Sequence, residues 1–146
     1  MSEWVDHKVP AYGIRRLTNA DEGFYDLVGP YLSRRHVVRE LGSSVWDDDR
    51  KVWYLAVTTA EPEVIGMVAE WHRTVCSFWV PPATRGQAVG YALLRYLVTD
   101  FGGSLTTVCT DDSLPLFEAA GFRKLRERGR FHVCSRAAED GVPDNA

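Results

Sequence analysis

Apolar positions change period several times along the chain, and each change marks an element. Tyr12 to Leu17 is a short strand-like run ending in Thr18-Asn19-Ala20-Asp21. Thr18 and Asp21 stand at capping-box spacing, which predicts a helix start. Phe24, Leu27, Val28, Tyr31 and Leu32 then recur at helical spacing. Gly29-Pro30 falls inside that run and predicts a kink or two short helices. Val37, Val38 and Leu41 continue the stripe, and Gly42-Ser43-Ser44 stops it. Asp47-Asp48-Asp49-Arg50 reads as a solvated turn. Val52 to Thr59 alternates, with Trp53, Leu55 and Val57 on one face and Tyr54, Ala56 and Thr58 on the other. Val64 to Trp71 and Thr74 to Val80 are two more strands, joined by the tight connection His72-Arg73. Three consecutive strands with short links predict an antiparallel meander.

Pro81-Pro82 ends the meander, and a small-residue loop from Arg85 to Gly90 feeds a helix. Its stripe is Val89, Ala92, Leu93, Tyr96 and Leu97, widened by Leu94, Val98 and Phe101. A helix this apolar packs against the sheet, and Gly102-Gly103 stops it. Leu105 to Cys109 is a strand. Asp112 or Ser113 caps a short helix that Gly121 closes. Phe122 to Leu125 and Arg130 to Cys134 form a terminal hairpin turning at Gly129. The expected domain is 1–136, and the small, polar segment 137–146 reads as a disordered tail.

The chain has 146 residues, one domain's worth. At 45% hydrophobic and 25% charged residues, its composition excludes a disordered protein. The net charge of −3 excludes an overall basic coat for nucleic acid but not a local basic patch. No apolar run reaches the roughly 18 residues of a membrane helix, and the polar start Met1-Ser2-Glu3-Trp4 does not read as a secretory signal. The three cysteines, Cys76, Cys109 and Cys134, lie far apart without a CxxC pair. That pattern argues against a disulfide framework or a metal site and suits a reducing cytoplasm. Trp46, Trp53, Trp71 and Trp79 are core residues first, and pocket walls second.

The chemically informative stretch runs from Val80 through Arg85-Gly86-Gln87-Ala88-Val89-Gly90-Tyr91. A strand enters a loop of small residues, and the loop enters a helix. Small residues let the backbone curl around a ligand, with successive N–H groups pointing inward. The helix N-terminus and Arg85 add positive charge, so the loop suits a phosphate or pyrophosphate. A P-loop needs Lys-Ser/Thr after its last glycine, where this chain has Tyr91-Ala92. A dinucleotide fingerprint follows the first strand of a parallel sheet, whereas this loop follows a meander.

Val80, Pro82, Arg85, Gly86 and Gly90 resemble, in register, the V-x-P-x-x-R-G-x-G-x-G/A signature of the GCN5-related N-acetyltransferases, the GNAT superfamily. Ala88 stands where that family usually has glycine, and its methyl is compatible with the loop only at negative φ. Ile14 to Asp21, Val64-Ile65-Gly66-Met67-Val68 and Leu116-Phe117-Glu118-Ala119-Ala120-Gly121-Phe122 resemble further family segments in the same order. The resemblance implies a single α/β (α+β) domain with a mixed, mostly antiparallel central sheet, a splayed parallel strand pair and flanking helices. It implies an N-acetyltransferase that passes an acyl group from acetyl-CoA, or another acyl-CoA, to an amine by direct attack. The pyrophosphate would lie on the N–H groups of Arg85, Gly86, Gln87, Ala88, Val89, Gly90 and Tyr91. The pantetheine would run along Phe78, Trp79 and Val80, and an N–H near Trp79 or Val80 would polarise the carbonyl. On that placement, a Gly90→Glu change is expected to abolish CoA binding by bulk and charge.

Glu70, at the end of its strand, is a candidate base, with a solvated residue beside a turn as the plainer reading. His72 reads first as exposed polar filler. Phe117 occupies the position where the family commonly has a tyrosine acid, and phenylalanine has no proton to give. Ser113 lies one helical turn earlier and could serve instead, although helix capping is its simpler role. Cys109 is a buried strand residue before it is a nucleophile. Arg34, Arg35, His36 and Arg39 form one basic cluster, and Arg123, Lys124, Arg126, Arg128, Arg130 and Arg136 form another. Both read as solvated surface before they read as a rim for an acidic acceptor. Two rivals remain: a GNAT-like enzyme that modifies nucleic acid, as the Mom-type enzymes do, and a non-catalytic acyl-CoA-binding module. The acceptor class stays open among small molecules, peptides and nucleic acids, and a homodimer stays open as well.

Overall fold

A computed structural model describes residues 11–32, 50–81 and 88–138. In chain order the elements are β1 (Tyr12–Leu17), α1 (Phe24–Leu32), β2 (Val52–Thr58), β3 (Val64–Trp71), β4 (Thr74–Trp79), α2 (Val89–Phe101), β5 (Leu105–Cys109), α3 (Leu114–Ala119), β6 (Arg123–Arg128) and β7 (Phe131–Arg136). One seven-stranded sheet runs in the order β1-β2-β3-β4-β5-β7-β6. Every neighbouring pair is antiparallel except β4 and β5, which are parallel. The expected mixed sheet, meander and terminal hairpin are all present.

The two faces of the sheet carry different layers. Tyr54, Ala56, Val68 and Val75 point to one face, where they bury Leu93, Leu94, Leu97 and Val98 of α2 and Phe117 of α3. Gly66 is what lets α2 approach. A Cβ there would stand 2.9 Å from both Leu93 Cδ1 and Val89 Cγ1, closer than packed carbons tolerate. On the other face, Trp53, Leu55, Met67 and Trp79 pack under Phe24 and Val28 of α1. The alternation in β2 therefore separates two cores rather than a core and a solvated side. Both Trp53 and Trp79 are core residues of the α1 face.

Two local expectations are adjusted. The Thr18–Asp21 pair does form a reciprocal cap, since Thr18 N–H donates to Asp21 Oδ2 at 2.7 Å and Ala20 N–H to Thr18 Oγ1 at 3.3 Å. It closes a turn, however, and the helix itself begins at Phe24. Gly29-Pro30 does not end α1, which runs through Pro30 to Leu32. Pro30 merely offers no N–H to the carbonyl of Asp26. The stripe at Val37, Val38 and Leu41, the Asp47–Asp49 turn, Trp46 and the basic cluster Arg34–Arg39 lie outside the described residues, as does 139–146 of the expected tail. No described helix is long and apolar enough to cross a membrane.

Candidate functional site: a cleft between two parting strands

The parallel ladder between β4 and β5 is short. Its registered pairs are Thr74–Thr106 and Val75–Thr107, extended backwards by Thr106 N–H donating to the Arg73 carbonyl at 2.9 Å. Thr107 is buried, and its hydroxyl donates to the Val75 carbonyl at 2.9 Å, which pins the last pair. Beyond it the strands part. On the β3 side of β4 the register steps from Met67–Trp79 to Ala69–Cys76, so β4 carries one extra residue. Ser77, at φ 54, lies inside this bulge. A bulge bends the strand that holds it and increases its twist, and here it falls immediately after the pinned pair.

The opening is a cleft of about 430 Å³ lined by Phe78, Trp79, Val80, Thr110, Asp112, Ser113 and Leu116. One wall is the end of β4. The other is the turn from β5 into α3. Thr110 organises that turn, its carbonyl accepting Leu114 N–H at 3.0 Å and its Oγ1 contacting Ser113 Oγ at 3.0 Å. Ser113 stands at the N-cap of α3 but makes no side-chain capping bond. Its hydroxyl goes to Thr110 in the cleft, so the capping role expected of it is not what the side chain does.

The N-terminus of α2 borders the same region. Ala88 is its N-cap, with no side-chain cap, and its carbonyl takes the first helical bond from Ala92 N–H at 3.0 Å. Alanine is a poor cap, so the first N–H groups, on Val89, Gly90 and Tyr91, gain none of the satisfaction a capping side chain would bring. Ala88 has φ 65 and ψ 8. This overturns the condition of a negative φ. The loop keeps the left-handed conformation that glycine would supply, and the methyl bears its cost.

Gly90 also differs from expectation. A Cβ there would stand 3.0 Å from Phe78 Cζ and 3.4 Å from Leu116 Cδ1. It would point into packing that forms the cleft wall, so a glutamate would strike Phe78 before it met any anion. Phe117 is buried, with its ring edge-on to Phe78 at 5.5 Å and to Phe122 at 5.1 Å. It braces the cleft wall from behind.

Glu70 is not brought to the cleft. It pairs with Val75 at the other end of β4, and its Oε2 accepts Arg73 N–H at 2.9 Å. That bond closes the hairpin turn, in which His72 and Arg73 both have positive φ, 50 and 64. Exposed His72 sits edge-on to Trp71, ring centroids 4.4 Å apart and planes at 66°. Cys109 is buried with its Sγ 3.9 Å from Cys134 Sγ. Burial, then the neighbouring thiol, push its pKa up to about 12, which suits an inert core thiol. Phe78, Trp79, Val80 and Ser113 thus converge, while Ala88, Val89, Gly90 and Tyr91 sit at the helix start. Arg85, Gly86 and Gln87 lie outside the described residues. Thr110, Asp112 and Leu116 were missed as wall residues. Their signal was their place, directly after the second strand of a parting pair.

No protein-family model matches the sequence, and no curated protein matches it. Solved structures do match. An acyl-CoA N-acyltransferase from Pseudomonas aeruginosa superposes with a TM-score of 0.66 over 87% of this chain and 100% of its own, at 12% identity. Tetrahymena GCN5 gives a TM-score of 0.60 over 89% and 98%, at 12% identity. The chain has the GNAT fold. A GNAT family acetyltransferase from Elizabethkingia anophelis, solved with acetyl-CoA bound, gives 0.55 over 86% and 97% at 17% identity. At such identities the likeness speaks to the GNAT architecture, and the chemistry has to be argued from the cleft.

Proposed function

We propose that this chain is an acyl-CoA-dependent N-acyltransferase that moves an acetyl group from acetyl-CoA to an amine by direct attack. The observation that carries the reading is the parting of β4 from β5 after Val75–Thr107, beside a helix N-terminus without a side-chain cap. The cleft fits the group. It offers an extended wall for a narrow chain, polar hydroxyls opposite that wall, and helix N–H groups for an anion. Phe78, Trp79 and Val80 would flank the pantetheine, and the N–H groups of Val89, Gly90 and Tyr91 would meet the pyrophosphate together with Arg85, Gly86 and Gln87. Bound acyl-CoA supplies an activated thioester carbonyl.

The protein's part is to orient that carbonyl, polarise it with a backbone N–H near Trp79 or Val80, and handle two protons. As the N–C bond forms and the C–S bond breaks, the amine nitrogen sheds a proton and the sulfur gains one. Ser113, in hydrogen-bond contact with Thr110, is the proposed donor to sulfur, replenished from solvent along the hydroxyl pair. Asp112 is the carboxylate on the cleft wall and the proposed acceptor of the amine proton. From its place at the hairpin turn, Glu70 would act only through water. A reducing cytoplasm suits Cys76, Cys109 and Cys134, none of which is in a disulfide.

The test is release of free CoA thiol from acetyl-CoA in the presence of separate pools of small amines, peptides, tRNA and duplex DNA, with mass analysis of each pool. Release tied to one acetylated pool is expected. CoA that neither binds in calorimetry nor shifts the melting temperature would overturn the reading.

A further inference from the structure

Beyond the cleft, the second half of the sheet has a face that the first half does not. The bulge in β6 creates it. The register steps from Lys124–Cys134 to Arg126–Val133, which leaves Leu125 as an inserted residue. Were Leu125 paired in plain alternation instead, Lys124, Arg126 and Arg128 would share one side. With it inserted, Lys124 and Glu127 turn to the α2 face, while Arg123, Arg126 and Arg128 stand opposite Ser135, Val133 and Phe131 on the other. Continuing into β5 gives two rows across three strands, Thr106–Ser135–Arg123 and Val108–Val133–Arg126, with Phe131–Arg128 beside them.

Charge is sorted as cleanly as position. Glu127 is spent on Lys124 at 3.0 Å, and Asp111 on His132, both on the α2 face. The rows on the opposite face contain no acidic residue, and none of their three arginines makes an ion pair among the described residues. Val108 is 45% exposed and the arginines are exposed, whereas the core under α1 on the same face draws on β1, β2, β3 and β4. Arg130 lies over the Phe131 ring, 5.3 Å from its centroid.

We propose that this face, Val108, Val133 and Phe131 fenced by Arg123, Arg126 and Arg128, docks a single-stranded stretch of nucleic acid. Unstacked bases lie flat on the apolar strip, and phosphates meet the row of arginines. Flat apolar and aromatic surface suits bases, which carry a π-face whatever the sequence, and guanidinium groups along a strand suit a repeating phosphate chain. An acidic peptide would use the arginines but leave the strip without a matching partner. The surface is separate from the cleft, so the inference stands whether or not the acyl-CoA reading holds.

The experiment is fluorescence anisotropy of a short labelled single strand of mixed sequence, titrated with the full chain. With three phosphate contacts, the slope of log affinity against log salt should be about −2, an affinity loss of about 20-fold between 50 mM and 200 mM salt. Arg126→Glu should weaken binding about tenfold and flatten that slope. Val108→Glu should weaken binding as well, while Arg95→Glu, which makes the same charge change at an exposed site on α2, should not. All three positions are exposed, and a melting curve for each variant confirms folding. Equal losses for Arg126→Glu and Arg95→Glu would overturn the proposal. So would equal affinity for a duplex or for poly-glutamate, or a homodimer in solution that Arg126→Glu dissociates.

Discussion

Ala88 is the sharpest place to test the account of the loop. Its φ of 65 and ψ of 8 put an L-residue in left-handed backbone at the start of α2. The methyl there costs about 1–2 kcal/mol in clash with its own carbonyl neighbourhood. Replacing it with glycine removes that clash but loosens the unfolded chain, which returns about 0.4–1 kcal/mol. Ala88 is exposed, so no packing is forfeited. Ala88→Gly should therefore stabilise the protein by about 1 kcal/mol, raising the melting temperature by roughly 3 °C. The other end of the same helix supplies the mirror experiment. Gly102, the C-cap, has φ 77, and a Cβ there would meet nothing within 4 Å. Gly102→Ala should thus lose about 1 kcal/mol from backbone strain alone. Urea unfolding at constant m-value and calorimetric melting measure both variants. If Ala88→Gly lowers stability, or Gly102→Ala leaves it unchanged, the argument from positive φ is wrong.

Other outcomes follow from the same geometry. Thr107→Val removes the buried hydroxyl that donates to the Val75 carbonyl and should cost about 1–2 kcal/mol in urea unfolding; it should also weaken CoA binding, because it loosens the point where the strands part. The Cys109 thiol is held protonated up to about 12 from an ordinary value of 9.0. The unfolded chain loses that proton first, so the contribution is complete below about pH 9 and stability falls as pH rises above it. Urea melts at rising pH should show that decline, and Cys109→Ala should flatten it. Asp112→Asn should cut kcat by about 100-fold, within the range of general-base catalysis, while Glu70→Gln should alter stability more than kcat. The reverse pattern would return the base to the hairpin turn.

The elements that read most clearly in the sequence are those with one strong period. The β2–β3–β4 meander, the buried helix Val89–Phe101 and the hairpin at Gly129 needed only alternation, helical spacing and turn residues. The small-residue loop before α2 suggests a phosphate site in the sequence because small residues between a strand and a helix have few other uses, though Arg85, Gly86 and Gln87 lie outside the described residues. The bulges were not legible. Ser77 and Leu125 are ordinary residues in ordinary strands, and an inserted residue shows itself only when the partner strand is present to be counted against. The same holds for the placement of Glu70. Its position at a strand end was read correctly, but the other end of β4 is the one that opens. The Ser113 hydroxyl was assigned by its place at a helix start, and its actual partner, Thr110, became visible only once the turn was folded.

Those two bulges make the sheet structurally asymmetric, and they do so by the same arithmetic. A strand's side chains alternate with period two, so one inserted residue changes every relation beyond it. In β4 the insertion keeps Cys76 and Trp79 on the α1 face although they are three residues apart, opposite Ala69 and Met67. β4 therefore stays married to β3 while bending away from β5, and the cleft opens without breaking the core on either side. In β6 the insertion sends Lys124 and Arg126 to opposite faces, which collects the arginines where no helix among the described residues covers them. Neither device depends on a loop. Each is built into hydrogen-bonded strands, so cleft and basic face inherit the rigidity of the sheet. A variant that deletes Leu125 makes the point testable, since plain alternation then keeps the pairs Arg123–Ser135, Arg126–Val133 and Arg128–Phe131, leaves the three arginines on one face, and should retain single-strand binding. Lost affinity in a folded deletion variant would show that sharing one face is not enough and that the added twist at the bulge sets the surface.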